Sequence, residues 1–275
     1  MMAAGSADTS TARLPGPDRE ALSGWLIATL CVVAWTVLWA WSGTPYGRFL
    51  VHEGWADLDV YAALCRAVPQ GKFAVPAALH ALAWVLMIAA MMLPTTIPLL
   101  ETFQRIVAGR ADSGRLTALV VLGYFVAWMA FGLVAHGADA ALHGLTGQYA
   151  ALAVYSWAIG AAVLAAAGWF QFSALKYRCL EQCHAPFGFV AARWHGRAPP
   201  REAFRLGVAH GLFCVGCCWA LMLVMFVVGT GSIGWMLVLA AVMAAEKNLP
   251  WGRRLRAPLG LGLIGWAGAI VLAHA

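Results

Sequence analysis

Apolar runs of about 20 residues recur along the whole chain, and they limit the possible folds more than any other feature. As a helix, each run is long enough to cross roughly 30 Å of hydrocarbon at about 1.5 Å per residue. Of the 275 residues, 62% are hydrophobic and 11% are charged, whereas soluble domains carry roughly 25% charged residues. The sequence therefore predicts an all-α fold, a polytopic transmembrane helical bundle.

We expect about seven spans, with a disordered cytoplasmic leader over residues 1–22 and a single transmembrane helical domain over residues 23–275. An external loop is expected at about 44–74, between the first two spans. The expected spans lie at about 23–43, 75–99, 116–136, 151–174, 205–228, 232–246 and 257–274.

The positions of the basic residues predict the orientation. Most of the 18 Lys and Arg residues lie in the loops after spans two, four and six, while the loops after spans three and five have none. The positive-inside rule then places the N-terminus in the cytoplasm and the C-terminus outside, in a bacterial inner membrane. The net charge of +6 thus indicates topology in a lipid bilayer, and we expect no nucleic-acid partner.

Span five has the densest set of metal-ligating side chains. At 100° per residue, one His, three Cys and one Met fall within about 100° of each other, and a second Met lies at the edge of this face. The side chains are His210, Cys214, Cys217, Cys218, Met225 and, at the edge, Met222. Polar side chains inside a span are costly, so this face predicts a functional site.

Two other segments carry possible ligands. Cys179 and Cys183 are four residues apart near the end of span four, with His184 next to them, so the two thiols would share one helix face. In span two, Met91 and Met92 precede two prolines, Pro94 and Pro98, that interrupt the backbone hydrogen-bond ladder. That interruption predicts a gate or a ligand position.

Thiolate and thioether ligands favour Cu(I), with zinc and iron as other users of thiolates. A structural zinc site would place four ligands at one level, and the spacing typical of zinc fingers is absent. At the inner end of span six, Glu246 and Lys247 are interpreted as a capping ion pair, with a proton relay as the alternative.

Four stretches resemble the bacterial family of predicted metal-binding integral membrane proteins known as domain of unknown function 2182. They are residues 89–94, 175–189, 207–222 and 245–252, and the third contains a Cys-x-x-Cys-Cys-Trp element within a span. The chain departs from the family pattern at Ser173-Ala174, where the family has Thr-Pro, and at Gly231-Ser232, where it often has Met-Asn. The resemblance implies metal binding.

The sequence thus predicts a membrane protein that binds Cu(I) and either transports it or delivers it to a metalloenzyme. Cys179, Cys183 and His184 would receive the metal on the cytoplasmic side, from a metallochaperone for example. The intramembrane site would comprise His210, Cys214, Cys217 and Cys218, with four methionines as weaker relay ligands. These are Met91, Met92, Met222 and Met225.

Two alternatives remain open. One is a membrane thiol–disulfide oxidoreductase in which Cys214 and Cys217 form a redox couple and Cys179 and Cys183 form the second pair. The other is a non-catalytic assembly subunit whose Cys and Met residues are core packing. The sequence leaves the oligomeric state and the client open.

Overall fold

A computed structural model of the chain describes residues 17–42, 74–149, 154–229 and 232–274, and every regular element among them is helical. The predicted all-α class is therefore confirmed. The external loop expected at about 44–74 lies almost entirely outside the described residues, as do residues 1–16 of the expected leader. Residues 17–22, which we expected to be disordered, already belong to the first helix.

The described residues form ten α-helices and two short 3₁₀ helices. The 3₁₀ helices are Leu93–Thr96 and Gly252–Leu255. The α-helices are α1 (Pro17–Ser42), α2 (Ala74–Met91), α3 (Ile97–Val107), α4 (Ser113–Gln148), α5 (Ser156–Phe170), α6 (Ala174–His184), α7 (Pro186–Ala191), α8 (Pro199–Val228), α9 (Ile233–Asn248) and α10 (Arg256–His274).

Within the described part of the chain, four helices are each long and apolar enough to cross a membrane: α1, α4, α8, and α10 together with the 3₁₀ turn before it. The number rises to six if two bent helix pairs each count as one span. Helix α9, the sixth expected span, has 16 residues and is shorter than these. The outer surface is strongly apolar, with Leu133, Trp169 and Leu272 largely exposed, as a lipid-facing surface requires.

The second expected span is broken near its inner end. Helix α2 ends at Met91, the 3₁₀ turn follows, and α3 continues at an angle of 49°. Pro94 lies in this turn and has no N–H to donate, so the break occurs where the prolines predicted it. The Met92 carbonyl accepts hydrogen bonds from the Thr95 backbone at 3.1 Å and from the Thr95 hydroxyl at 2.7 Å.

The fourth expected span is broken as well, which the sequence analysis did not predict. Helix α5 ends at Phe170, not near residue 174, and α6 leaves it at 61°. The Ser173 hydroxyl accepts a hydrogen bond from the Lys176 backbone N–H at 3.1 Å, and this N-cap starts the new helix. The bend turns Cys179 and Cys183 back towards the bundle.

Small residues let α8 approach its neighbours closely. A Cβ at Gly207 would lie 2.0 Å from the carbonyl oxygen of Val120 in α4, and one at Gly211 would lie 2.6 Å from the Cβ of Ala127. On the side facing α6, a Cβ at Gly216 would lie 2.7 Å from the Cys179 sulfur. Gly207, Gly211 and Gly216 therefore allow a close helix approach that fixes α8 at the centre of the bundle.

Candidate metal site

One buried region brings together side chains from five segments of the chain. Helix α8 supplies Cys214, Cys217 and Cys218, and these three thiols are almost fully buried. Each of the four neighbouring segments supplies one or two residues to this region. These are Tyr124 from α4, Met92 from the break after α2, Lys247 from α9, and Cys179 and Cys183 from α6.

Three sulfur atoms surround the ammonium of Lys247. The Lys247 Nζ lies 2.8 Å from the Cys214 Sγ, 3.8 Å from the Cys218 Sγ and 3.7 Å from the Met92 Sδ. The Cys218 and Met92 sulfurs are 3.9 Å apart. We call Cys214, Cys218 and Met92 the sulfur triad. It joins α8 to the broken segment of span two, and Lys247 is itself buried, with 4% of its surface exposed.

Tyr124 holds two members of the sulfur triad in place. Its hydroxyl lies 3.2 Å from the Cys214 Sγ and donates a hydrogen bond to the Met92 carbonyl oxygen at 3.3 Å. A tyrosine hydroxyl has one proton, so while it donates to Met92 it accepts the thiol proton of Cys214. Tyr124 is fully buried, and its position on α4 thus sets the distance between α8 and the broken span.

The remaining thiols form a second group next to the triad. The Cys217 thiol interacts with Cys183 of α6 and also with Cys214 and Cys218 on its own helix. Cys179, one turn earlier in α6, is buried against Gly216 of α8. The structure therefore brings the two cysteine clusters of the sequence into one region, which sequence spacing alone could not show.

A buried ion pair also joins α6 to α9. The Lys176 ammonium donates to the Glu246 carboxylate at 2.7 Å and also to the side-chain oxygen of Gln171. His184 binds the backbone carbonyl of Glu246 through its Nε2, at 2.9 Å. The expected capping ion pair between Glu246 and Lys247 is wrong, because adjacent residues of a helix point in different directions and here reach different partners.

Other predicted ligands occupy separate positions. The His210 ring stacks on Tyr124 with a centroid distance of 5.9 Å and meets Phe189 edge-on at 5.6 Å. Its Nδ1 is buried without a hydrogen-bond partner in the described part of the chain. Met91, Met222 and Met225 are buried in the same apolar core as the thiols. His184, as described above, binds backbone.

No group of three or more His, Cys, Asp or Glu side chains among the described residues is arranged to hold a metal ion. Methionine is not one of these four residue types, although the Met92 thioether lies beside the thiols. The ammonium of Lys247 fills the space between the sulfurs. A cluster of soft sulfur donors around a buried cation nevertheless has the donor chemistry that suits Cu(I).

Sequence reasoning missed three residues of this region, Lys247 as a thiol partner, Tyr124 and Lys176. A signal existed for the two lysines, because an ionisable side chain in or next to an apolar helix is costly unless it has a partner. Tyr124 gave no comparable signal, since a tyrosine in a span is equally suited to packing.

The fold and the site together define a class: a helical bundle that buries a cluster of thiol and thioether groups and has several helices long and apolar enough to span a membrane. A sequence profile of the copper chaperone family PpoB2 matches residues 81–270, which is more than half of the chain. The chain belongs to this family. The match supports membership of a copper-related family, but not the name domain of unknown function 2182.

Two other comparisons gave no relatives. No curated protein matches the sequence significantly. No solved structure matches it significantly either.

Proposed function

We propose that this protein binds Cu(I) within a membrane and passes it to a metalloenzyme client. The observation that carries the proposal is the sulfur triad, in which Cys214, Cys218 and Met92 converge on one buried cation. Soft sulfur ligands select Cu(I) over the harder metals, and a thioether is a weaker ligand that can be exchanged. Membership of a copper chaperone family supports the choice of metal.

In this proposal, copper enters from the cytoplasm at Cys179 and Cys183, with His184 beside them. The bend between α5 and α6 supports this entry, because it packs α6 against α8. The interaction between Cys183 and Cys217 then connects the entry thiols to the sulfur triad. His210 and the methionines Met91, Met222 and Met225 are proposed as further ligands along the route.

The same proposal places the protein in the bacterial inner membrane, with seven spans in a single domain over residues 23–275. Helix α9 would be the short sixth span, and the N-terminus would lie in the cytoplasm. A chaperone hands on its metal unchanged, so we propose no catalytic residues. Copper is the cargo, and zinc or iron would be outcomes of the test.

Metal analysis of detergent-purified protein tests the proposal. Protein prepared under reducing, anaerobic conditions from copper-supplied cells should contain stoichiometric copper by mass spectrometry. The triple variant Cys214→Ser, Cys217→Ser, Cys218→Ser should lose it. The matched control is Cys31→Ser, since Cys31 is not a member of the triad, lies on α1 and donates to the Ala90 carbonyl at 3.2 Å. If the wild type contained zinc or iron instead, the proposed site would stand and the assigned metal would change.

A second candidate is the thiol–disulfide oxidoreductase, and one observation favours it. The Cys183 and Cys217 thiols lie on two different helices and interact with each other, as a redox pair would need. If neither the wild type nor the variant holds metal after Cu(I) is offered, the copper proposal is wrong. Oxidation of Cys183 and Cys217 to a disulfide by a quinone would then support the enzyme.

A further inference from the structure

Lys247 has unusual partners for a buried lysine. Its ammonium contacts the sulfurs of Cys214, Cys218 and Met92, and sulfur is a weak hydrogen-bond acceptor. A buried ammonium is normally paired with a carboxylate or with oxygen acceptors, because leaving water is costly for a charge. Lys176 has such partners close by, in Glu246 and Gln171. The two buried lysines of this region are therefore held in different ways.

The ammonium occupies the space between three soft ligands and carries a single positive charge. Cu(I) also carries a single positive charge, and thiolate and thioether groups are its preferred ligands. The sulfur triad can therefore hold one monovalent cation at a time, either the ammonium or the metal. Lysine has a flexible four-carbon stem, so its ammonium can withdraw by changing rotamers without a movement of α9.

We propose that Lys247 is a built-in competitor of Cu(I) at the sulfur triad. Without metal, its ammonium keeps Cys214, Cys218 and Met92 together. Cu(I) displaces the ammonium on loading, and the ammonium returns when the client takes the metal. This inference rests on the proposed function, and it adds the means by which a buried site releases its cargo.

The exchange requires no redox step. Copper arrives as Cu(I) from a thiolate complex and remains Cu(I), so no electron moves. The N–H···S contacts of Lys247 break while Cu–S bonds form to the triad. The thiol protons of the ligating cysteines pass to the thiolates that the donor complex frees, and the ammonium keeps its own protons.

The consequence is a weaker but more easily released metal. If the ammonium fills the site for about nine-tenths of the time, it weakens the apparent affinity about tenfold. The variant Lys247→Leu removes the competitor, adds no metal ligand, and leaves the three sulfurs in place. We expect it to bind Cu(I) about tenfold more tightly than the wild type and to release it correspondingly more slowly.

Competition with a chromophoric Cu(I) chelator measures both quantities on the purified full chain. The control is the double variant Lys176→Leu, Glu246→Gln, which removes the neighbouring lysine with its partner, adds no metal ligand, and should keep the wild-type affinity. Equal or weaker binding by Lys247→Leu would overturn the inference, since the lysine would then support the metal ligands. Absence of Cu(I) binding by the wild type would instead overturn the proposed function.

A measurement on the wild type covers the case in which Lys247→Leu does not fold. An amine-reactive acylating reagent is applied with and without bound Cu(I), and modification of Lys247 is measured by peptide mass spectrometry. We expect modification to rise several-fold on copper loading, while modification of Lys176 stays constant. Equal modification of Lys247 in the two states, with copper bound in one, would overturn the inference.

Discussion

At the scale of single residues, the site depends on one methionine more than on the others. Met92 lies at the break of span two, and its sulfur is 3.9 Å from Cys218 and 3.7 Å from the Lys247 ammonium. Met87, five residues earlier, is equally part of the apolar core. Because Met87 and Met92 are both buried methionines, only their positions relative to the thiols distinguish a ligand from a core residue.

We predict that Met92→Leu weakens Cu(I) binding about tenfold, because it removes one of three soft ligands while keeping the side-chain volume similar. Met87→Leu makes the same exchange in the same core and should leave the affinity unchanged. Chelator competition on both purified variants measures the difference. Equal affinities for the two would show that Met92 only packs.

At the scale of helices, two interruptions and a close packing place the ligands. The 3₁₀ turn after Met91 positions Met92, and the bend after Phe170 brings α6 against α8. Helix α8 itself is positioned by small residues, because at Gly207 any side chain would meet the backbone of α4. The site therefore depends on helix distances as well as on the ligands themselves.

We predict that Gly207→Ala destabilises the protein by about 1–3 kcal/mol or more, because its Cβ would lie 2.0 Å from the Val120 carbonyl oxygen and must push α4 from α8. Gly137→Ala is the matched control, since that helical glycine of α4 has nothing within 4 Å of its added Cβ. Thermal unfolding in detergent should show a lower midpoint for Gly207→Ala alone. An unchanged midpoint would mean that the helices separate without cost.

At the scale of the whole molecule, the number of membrane crossings decides whether the two termini lie on the same side of the membrane. Among the described residues, four helices are each long and apolar enough to cross a membrane, and the number is six if each bent pair counts as one span. Whether α9, with its 16 residues, also crosses decides between six and seven spans. An odd number places the termini on opposite sides of the membrane, and an even number places them on the same side. The distribution of Lys and Arg favours seven.

We predict that alkaline phosphatase fused after Ala275 is active in intact bacteria, because it would lie outside. A green fluorescent protein at the same position should be dark for the same reason. Fusions after Arg110, in the loop between α3 and α4, should show the opposite pattern and serve as the control. A fluorescent fusion after Ala275 would place both termini in the cytoplasm and show that α9 does not cross.

The sequence by itself determined the all-α class and the residues that carry the chemistry. Within lipid, the backbone of an apolar run of span length must satisfy its own hydrogen bonds, and a helix does so without a partner strand. The prolines of span two predicted its break, because proline has no N–H to donate to the helix hydrogen bonds. The spacing of Cys214, Cys217 and Cys218 placed three thiols on one helix face. These are local properties, set by residues a few positions apart.

Only the tertiary structure decided which of these residues meet. Met92 and Cys218 are 126 positions apart and Lys247 and Met92 are 155 apart, and helix periodicity contains no information on such pairs. The direction of Glu246 towards Lys176 and of Lys247 towards the thiols depends on which helix packs on each side of α9. The sulfur triad exists because non-local packing of α8, α9 and the broken span brings its members within 4 Å of one ammonium.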